Sequence, residues 1–146
     1  MSRKTVPEPT LAYQLVDAVR LVRRDFRARA TGLGLTPALA RLLFFAYRRP
    51  GCRQAELAAH LDVTPVTLGR MVDRLAALGY VRRLRDASDR RAARIHVTPR
   101  GRPLVTRMKA IAALTEARSL RGFAADERRQ LVVLLGRLQA NLEREG

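Results

Sequence analysis

Arginine is the residue through which this sequence can act on another molecule. Of 146 residues, 29 are Lys or Arg and 13 are Asp or Glu, a formal net charge of +16, and nearly all the basic residues are Arg. A guanidinium is planar and always charged, and its fork of donors matches a phosphate or the O6/N7 edge of guanine. A GC-rich coding sequence raises the arginine count everywhere, but it does not explain where arginines gather. They gather between Arg82 and Arg102, where Arg83, Arg85, Arg90, Arg91, Arg94 and Arg100 also lie, opposed only by Asp86 and Asp89. Such an excess calls for a polyanionic partner, with double-stranded nucleic acid ahead of an anionic membrane or an acidic protein.

Other chemistry lacks its residues. Cys52 is the single cysteine, and the lack of a second thiol argues against oxidant sensing. His60 and His96 stand apart from any Cys or carboxylate cluster, so no metal is expected. His60 is expected on a solvated helix end and His96 on the outer face of a strand. There is no Gly-rich phosphate loop and no nucleophile elbow, so neither catalysis nor a cofactor is expected. No apolar run reaches the roughly 18 residues of a membrane span. The opening MSRKTVPEPT lacks the apolar stretch of a signal peptide. A cytoplasmic protein without a membrane partner is expected, associated with the bacterial nucleoid when bound to DNA.

The elements that position these arginines follow from periodicity. Hydrophobic residues make up 47% and aromatics only 5%, so the core is expected to be Leu, Val and Ala, mostly helical. Leu11, Leu15, Val19, Val22 and Phe26 mark a helix from about Thr10 to Ala30, ended by Gly32 and Gly34. Thr36-Pro37 has the form of an N-cap followed by proline and opens a helix to about Arg48, stopped by Pro50-Gly51. A short helix, about Arg53 to Leu61, follows. Thr64-Pro65 repeats the cap signal for a helix to Leu78, stopped by Gly79. Only Asp62 and Val63 join these two helices, the tight connection of a helix-turn-helix. Tyr80 to Leu84 and Arg94 to Thr98 read as strands around a charged tip, a wing. Thr98-Pro99 is expected to cap a helix carrying Leu104, Met108, Ile111 and Leu114. Asp126 is expected to cap the last helix, where Leu131, Leu134 or Leu135, Leu138 and Leu142 form a near-heptad seam.

A wheel at about 100° per residue puts Leu68, Met71, Val72, Leu75 and Leu78 on one face of the helix from Pro65. Val66, Gly69, Arg70, Asp73 and Arg74 fall on the other. That outward, basic face with small residues near its start suits a helix lying in a major groove. Arg70 is the candidate for base readout and Arg74 for phosphate. Thr64 and Thr67 are candidates for bases or phosphates, and Pro65 and Val66 for a thymine methyl. The plainer alternative is a solvated face with Asp73 pairing the arginines. Gly69 costs on the order of 1 kcal/mol against Ala in a helix; close approach to DNA and tolerated drift both fit it. At the wing tip, Asp89 is expected to hold an arginine in a fixed pose by a charge-assisted bond.

The stretch Asp86-Ala-Ser-Asp89-Arg90-Arg91-Ala-Ala-Arg94-Ile-His-Val-Thr98-Pro-Arg-Gly101, after Thr64-Pro-Val-Thr-Leu-Gly-Arg70-Met-Val-Asp-Arg74-Leu and Gly79-Tyr-Val, resembles the MarR regulators and is most similar to their SlyA branch. The resemblance implies a mainly α fold with a small β-hairpin wing: a winged helix-turn-helix plus a helical dimerisation region. Residues 1–34 and 99–146 would form that region and 35–98 the DNA-binding part, in one integrated domain. It implies a sequence-specific repressor that binds palindromic operators as a homodimer. Arg91 would enter the minor groove with Arg90 beside it and Asp89 orienting the tip. Arg70 would read the major groove, and Arg53 and Gln54 would sit against phosphates. A small aromatic or anionic effector is implied where the dimer helices meet the winged part, with Arg20 as a candidate for its carboxylate. Gly69 departs from the larger or polar residue common in the family. Dimerisation is also expected from the first and last helices, which carry more Leu and Val than a small winged domain covers. The competing classes are an architectural protein coating DNA through charge, and a small enzyme or membrane-surface protein.

Overall fold

A computed structural model describes residues 10–144. The opening stretch read for a leader falls almost wholly on residues 1–9, outside the described residues.

The centre of the fold is the helix that buries the most residues. Helix α1 spans Leu11–Arg29, and α2 spans Pro37–Arg48. Thr36 caps α2 as its residue types predict: the Leu39 amide donates to its hydroxyl at 3.3 Å, with proline in the first turn. Helix α2 buries Leu39, Ala40, Leu42, Leu43, Phe45 and Ala46, and the remaining elements are laid around it. Helices α3 (Gln54–Leu61) and α4 (Pro65–Ala77) pack on it through Leu57, Ala58, Leu61, Leu68, Val72 and Leu75. Between them Asp62 takes φ 53°, a left-handed backbone that Asp tolerates. This lets three residues, Asp62 to Thr64, turn the chain.

The wing has one strand more than the sequence shows. Strands β1 (Cys52–Arg53), β2 (Val81–Arg85) and β3 (Ala93–Val97) form an antiparallel sheet in the order β1-β3-β2. Val81 faces Val97 and Arg83 faces Ile95 across the hairpin, while Cys52 faces Ile95 on the other edge. A two-residue strand has no visible alternation, so periodicity misses it.

Helices α5 (Arg102–Ser119) and α6 (Ala125–Glu143) complete the chain. Two expected caps are corrected here. Thr98 does not cap α5, which starts after Gly101. The Thr98 hydroxyl instead donates to the Gly79 carbonyl at 2.6 Å and accepts from the Gly101 amide at 3.2 Å, closing a turn. A Cβ on Gly101 would stand 2.4 Å from the Tyr80 carbonyl, so this crossing admits glycine alone. Asp126 is likewise not the cap of α6 but lies in its first turn, paired with Arg129. The Ala124 amide donates to the Glu127 carboxylate at 2.8 Å, which supplies half of a capping box.

Helices α1 and α6 each run 19 residues and bury none. Leu15 and Phe26 of α1 are half-buried, while Leu11, Val19 and Val22 of the same stripe are exposed. On α6, Val132 is 69% and Leu142 73% exposed. The structure therefore leaves both helices with apolar faces that the described residues of this single chain do not cover.

Candidate nucleic-acid interface

Helix α4 presents the two faces its wheel predicts. Leu68, Val72 and Leu75 are fully buried, and Met71 and Leu78 half-buried. Val66, Arg70, Asp73 and Arg74 are exposed. Asp73 does not pair with Arg70 or Arg74: its carboxylate takes the Arg83 guanidinium at 2.5 Å. Among the described residues, neither Arg70 nor Arg74 has an ion-pair partner. The pairing with Asp73 is thus excluded, and both arginines stand in solvent.

The start of α4 is built from its own side chains. The Thr67 amide donates to the Thr64 hydroxyl at 3.2 Å, and that hydroxyl donates to the Thr67 hydroxyl at 2.9 Å. Pro65 and Val66 stand exposed beside them. Thr64 therefore shapes the helix end, and Thr67 keeps the outer position.

Arg83, which residue types alone do not single out, fastens this helix to the rest. Its Nη2 donates to the Gly69 carbonyl at 3.1 Å, its Nε to the Gln54 amide oxygen at 3.2 Å, and its Nη1 to Asp73. One side chain on β2 thus ties α4 to the start of α3. A Cβ on Gly69 would meet only the Gln54 amide nitrogen, at 3.7 Å, so packing within the chain leaves room for a larger residue.

The wing is held by a different carboxylate from the one expected. Asp89 pairs with no arginine side chain; it accepts the Arg91 amide at 2.9 Å, an Asx turn that shapes the exposed tip. It stands in solvent at the tip, where a local amide is the donor at hand. Asp86 holds the arginines instead. It is 3% exposed and takes Arg53 at 2.9 Å and Arg94 at 3.0 Å. The Ser88 amide and hydroxyl also donate to it, at 2.9 and 2.8 Å. The Ser88 hydrogen bonds and these cations hold its carboxyl well below the usual carboxylate range, against the opposing effect of burial. Its signal in the sequence was an aspartate inside an arginine run. Arg53, placed before α3 as expected, spends part of its guanidinium on Asp86, and Gln54 spends its amide oxygen on Arg83. Arg90 and Arg91 are exposed at the tip.

A cavity of about 890 Å³ opens between α1, α2 and α5, lined by Phe26, Phe44 and Met108 and by Arg23, Arg27 and Arg41. Arg20 is not among its lining residues and pairs with Asp17 at 2.8 Å, which corrects its expected place. Nearby, Asp25 joins α1 to α5 through Thr115 and Arg118 and also takes Arg29 of its own helix. Cys52 is buried in the core, where burial pushes its thiol up. No group of His, Cys, Asp and Glu among the described residues is arranged to hold a metal, and no described helix is long and apolar enough to cross a membrane.

Chains of known structure share this fold. The MarR family model matches residues 33–92. The Mycobacterium tuberculosis MarR family protein RV2887, solved in complex with salicylic acid, is 30% identical over 90% of this chain and 98% of its own, with a TM-score of 0.73. This chain belongs to the MarR family. The transcriptional regulator PA3341 is 35% identical over 92% of this chain and 99% of its own, at a TM-score of 0.82. The repressor CouR, solved on a 23-mer DNA duplex, is 28% identical over 95% and 99%, at 0.78. The fold is the winged helix-turn-helix of MarR regulators. Members of the family regulate transcription, and Asp86, Arg83 and the exposed α4 face are the parts of that common frame that this chain's own residues build.

Proposed function

We propose that this MarR-family chain is a sequence-specific repressor that binds palindromic operators as a homodimer. The observation that carries the reading is the α4 face: Arg70 and Arg74 project outward without ion-pair partners, beside a wing whose tip exposes Arg90 and Arg91. In this reading Arg70 reads the major groove, with Thr67, Pro65 and Val66 beside it. Arg74, Arg53 and Gln54 meet phosphates, Arg91 enters the minor groove with Arg90, and Asp89 shapes the tip. Thr64 contributes through the cap. Residues 35–98 are the reading unit. Residues 1–34 and 99–146 are the dimerisation region, supported by the uncovered faces of α1 and α6. The wing sequence supports a place near the SlyA branch. The protein then works in the cytoplasm, on nucleoid DNA.

The test compares binding to a palindrome from the gene's own upstream region with binding to random duplex at physiological salt. Specific regulators favour their site by roughly 10³-fold or more. A ratio near one would leave an architectural, charge-driven coat as the function.

The 890 Å³ cavity supports a small aromatic acid as the releasing effector, since its wall is apolar and three arginines line it. RV2887 takes salicylic acid, so salicylate is the first probe. Operator complexes should dissociate as it is titrated, and Arg27→Ala should blunt that response.

A further inference from the structure

A second cleft, of about 540 Å³, lies where the end of α2, the base of the wing and the start of α5 meet. Arg48, Arg82, Arg102, His96 and Tyr47 line it, and no carboxylate does. Elsewhere several arginines that bridge elements are tied to aspartates: Arg53 and Arg94 to Asp86, Arg83 to Asp73, Arg118 to Asp25. Among the described residues, Arg48, Arg82 and Arg102 have no such partner. Lys109 adds a further cation, 5.5 Å from the Tyr47 ring centroid.

The cleft faces away from the reading helix. Side chains alternate across a strand. Arg83 and its partner Ile95 share the face toward α4, where Arg83 holds Asp73 and Gly69. Arg82 and its partner His96 therefore project from the opposite face. His96 lies against Gly51, whose φ is +74° and where a Cβ would stand 3.1 Å from the imidazole. The ring lines the cleft together with the arginines.

We propose that this cleft binds a small, multiply charged phosphate-type anion, separately from the operator and from the cavity between α1, α2 and α5. Guanidinium forks from three elements match phosphate oxygens, and His96 and Tyr47 supply further donors. Such a ligand bridges α2, the wing and α5. It stiffens the junction between the reading unit and the helix that leads to the dimer region.

Pyrophosphate is the probe, titrated into the full-length protein and followed by calorimetry and by the His96 imidazole resonances. Binding should saturate, shift His96 and raise the melting temperature. Arg82→Ala and Arg102→Ala should each weaken it about tenfold or more, the loss of a charge-assisted hydrogen bond. Neither should lower the melting temperature without the anion, because each relieves like-charge repulsion. Arg24→Ala combined with Arg121→Ala removes two charges outside the cleft, twice the loss in either single variant, and should leave binding within about twofold. Equal losses from the two sets would reduce the effect to general attraction by a basic protein and overturn the site. Expulsion of pyrophosphate on saturation with duplex would make the DNA backbone the occupant and overturn the small-ligand assignment. Because duplex binding is measured separately, failure here leaves the operator reading standing.

Discussion

Arg70 and Arg91 carry different parts of the proposed recognition, and truncating each has a different signature. A bidentate guanidinium on guanine discriminates by about 1–3 kcal/mol. Arg70→Ala should therefore compress the affinity differences among operator variants by that amount in competition binding. An equal loss on every sequence would make it a phosphate contact. Arg91→Ala should weaken operator binding by about tenfold or more while sedimentation still shows the assembled protein, because the wing tip stands clear of α1 and α6. Gly69 is decided at the same scale. Its Cβ position meets only the Gln54 amide at an ordinary distance, so Gly69→Ala should raise helix stability by roughly 0.5–1 kcal/mol. Operator affinity should fall together with that gain if the missing Cβ lets the helix approach DNA closely. Unchanged affinity would leave the glycine as drift.

Between elements, aspartates do the joining: Asp73 of α4 takes Arg83 of β2, and Asp86 and Asp25 make the other two joints. Asp86 binds Arg53 of β1 and Arg94 of β3, so the wing is fixed to the entrance of α3. Asp86→Asn removes the charge that both arginines share. The wing loop should then open more often, read as faster hydrogen exchange at the Asp86 and Ala92 amides that close it. Asp25 joins α1 to α5, and its hydrogen bond from Arg29, helped by Thr115 and Arg118, brings its pKa from 3.8 to about 2. A carboxylate with a depressed folded pKa contributes stability that is present above the unfolded value and disappears as pH falls through the folded one. Acid titration should therefore loosen the α1–α5 contact between about pH 4 and pH 2, and Asp25→Asn should already show that loosening at neutral pH. Asp86 acts with the same sign.

For the whole molecule, the uncovered apolar faces of α1 and α6 matter most. Helices in proteins draw most of their stability from packing an apolar face, and α6 buries no residue of its own. A second copy is the proposed cover. Leu135→Glu, on the near-heptad seam, should shift the protein to monomer in sedimentation and abolish operator binding. The far-ultraviolet signal of the central helices should stay close to that of the parent. A dimer that persists would place the interface elsewhere.

The sequence by itself determined the local rules. Thr36-Pro37 and Thr64-Pro65 start helices as their types demand, Asp62-Val63 makes the tight turn, and the wheel of α4 separates buried leucines from exposed arginines. These signals are legible because they depend on residues a few positions apart. Tertiary structure decided what depends on residues far apart in the chain. Strand β1 exists only because β3 pairs with it. Thr98 gave up its expected cap because the Gly79 carbonyl came within reach, and Gly101 is required because Tyr80 crosses there. The arginine-holding role moved from Asp89 to Asp86 because only Asp86 is enclosed, where a buried carboxylate must be paired. Arginine placement marked a polyanion-binding surface from the start. Which arginines are free to bind, and which are spent on aspartates, was settled by the fold alone.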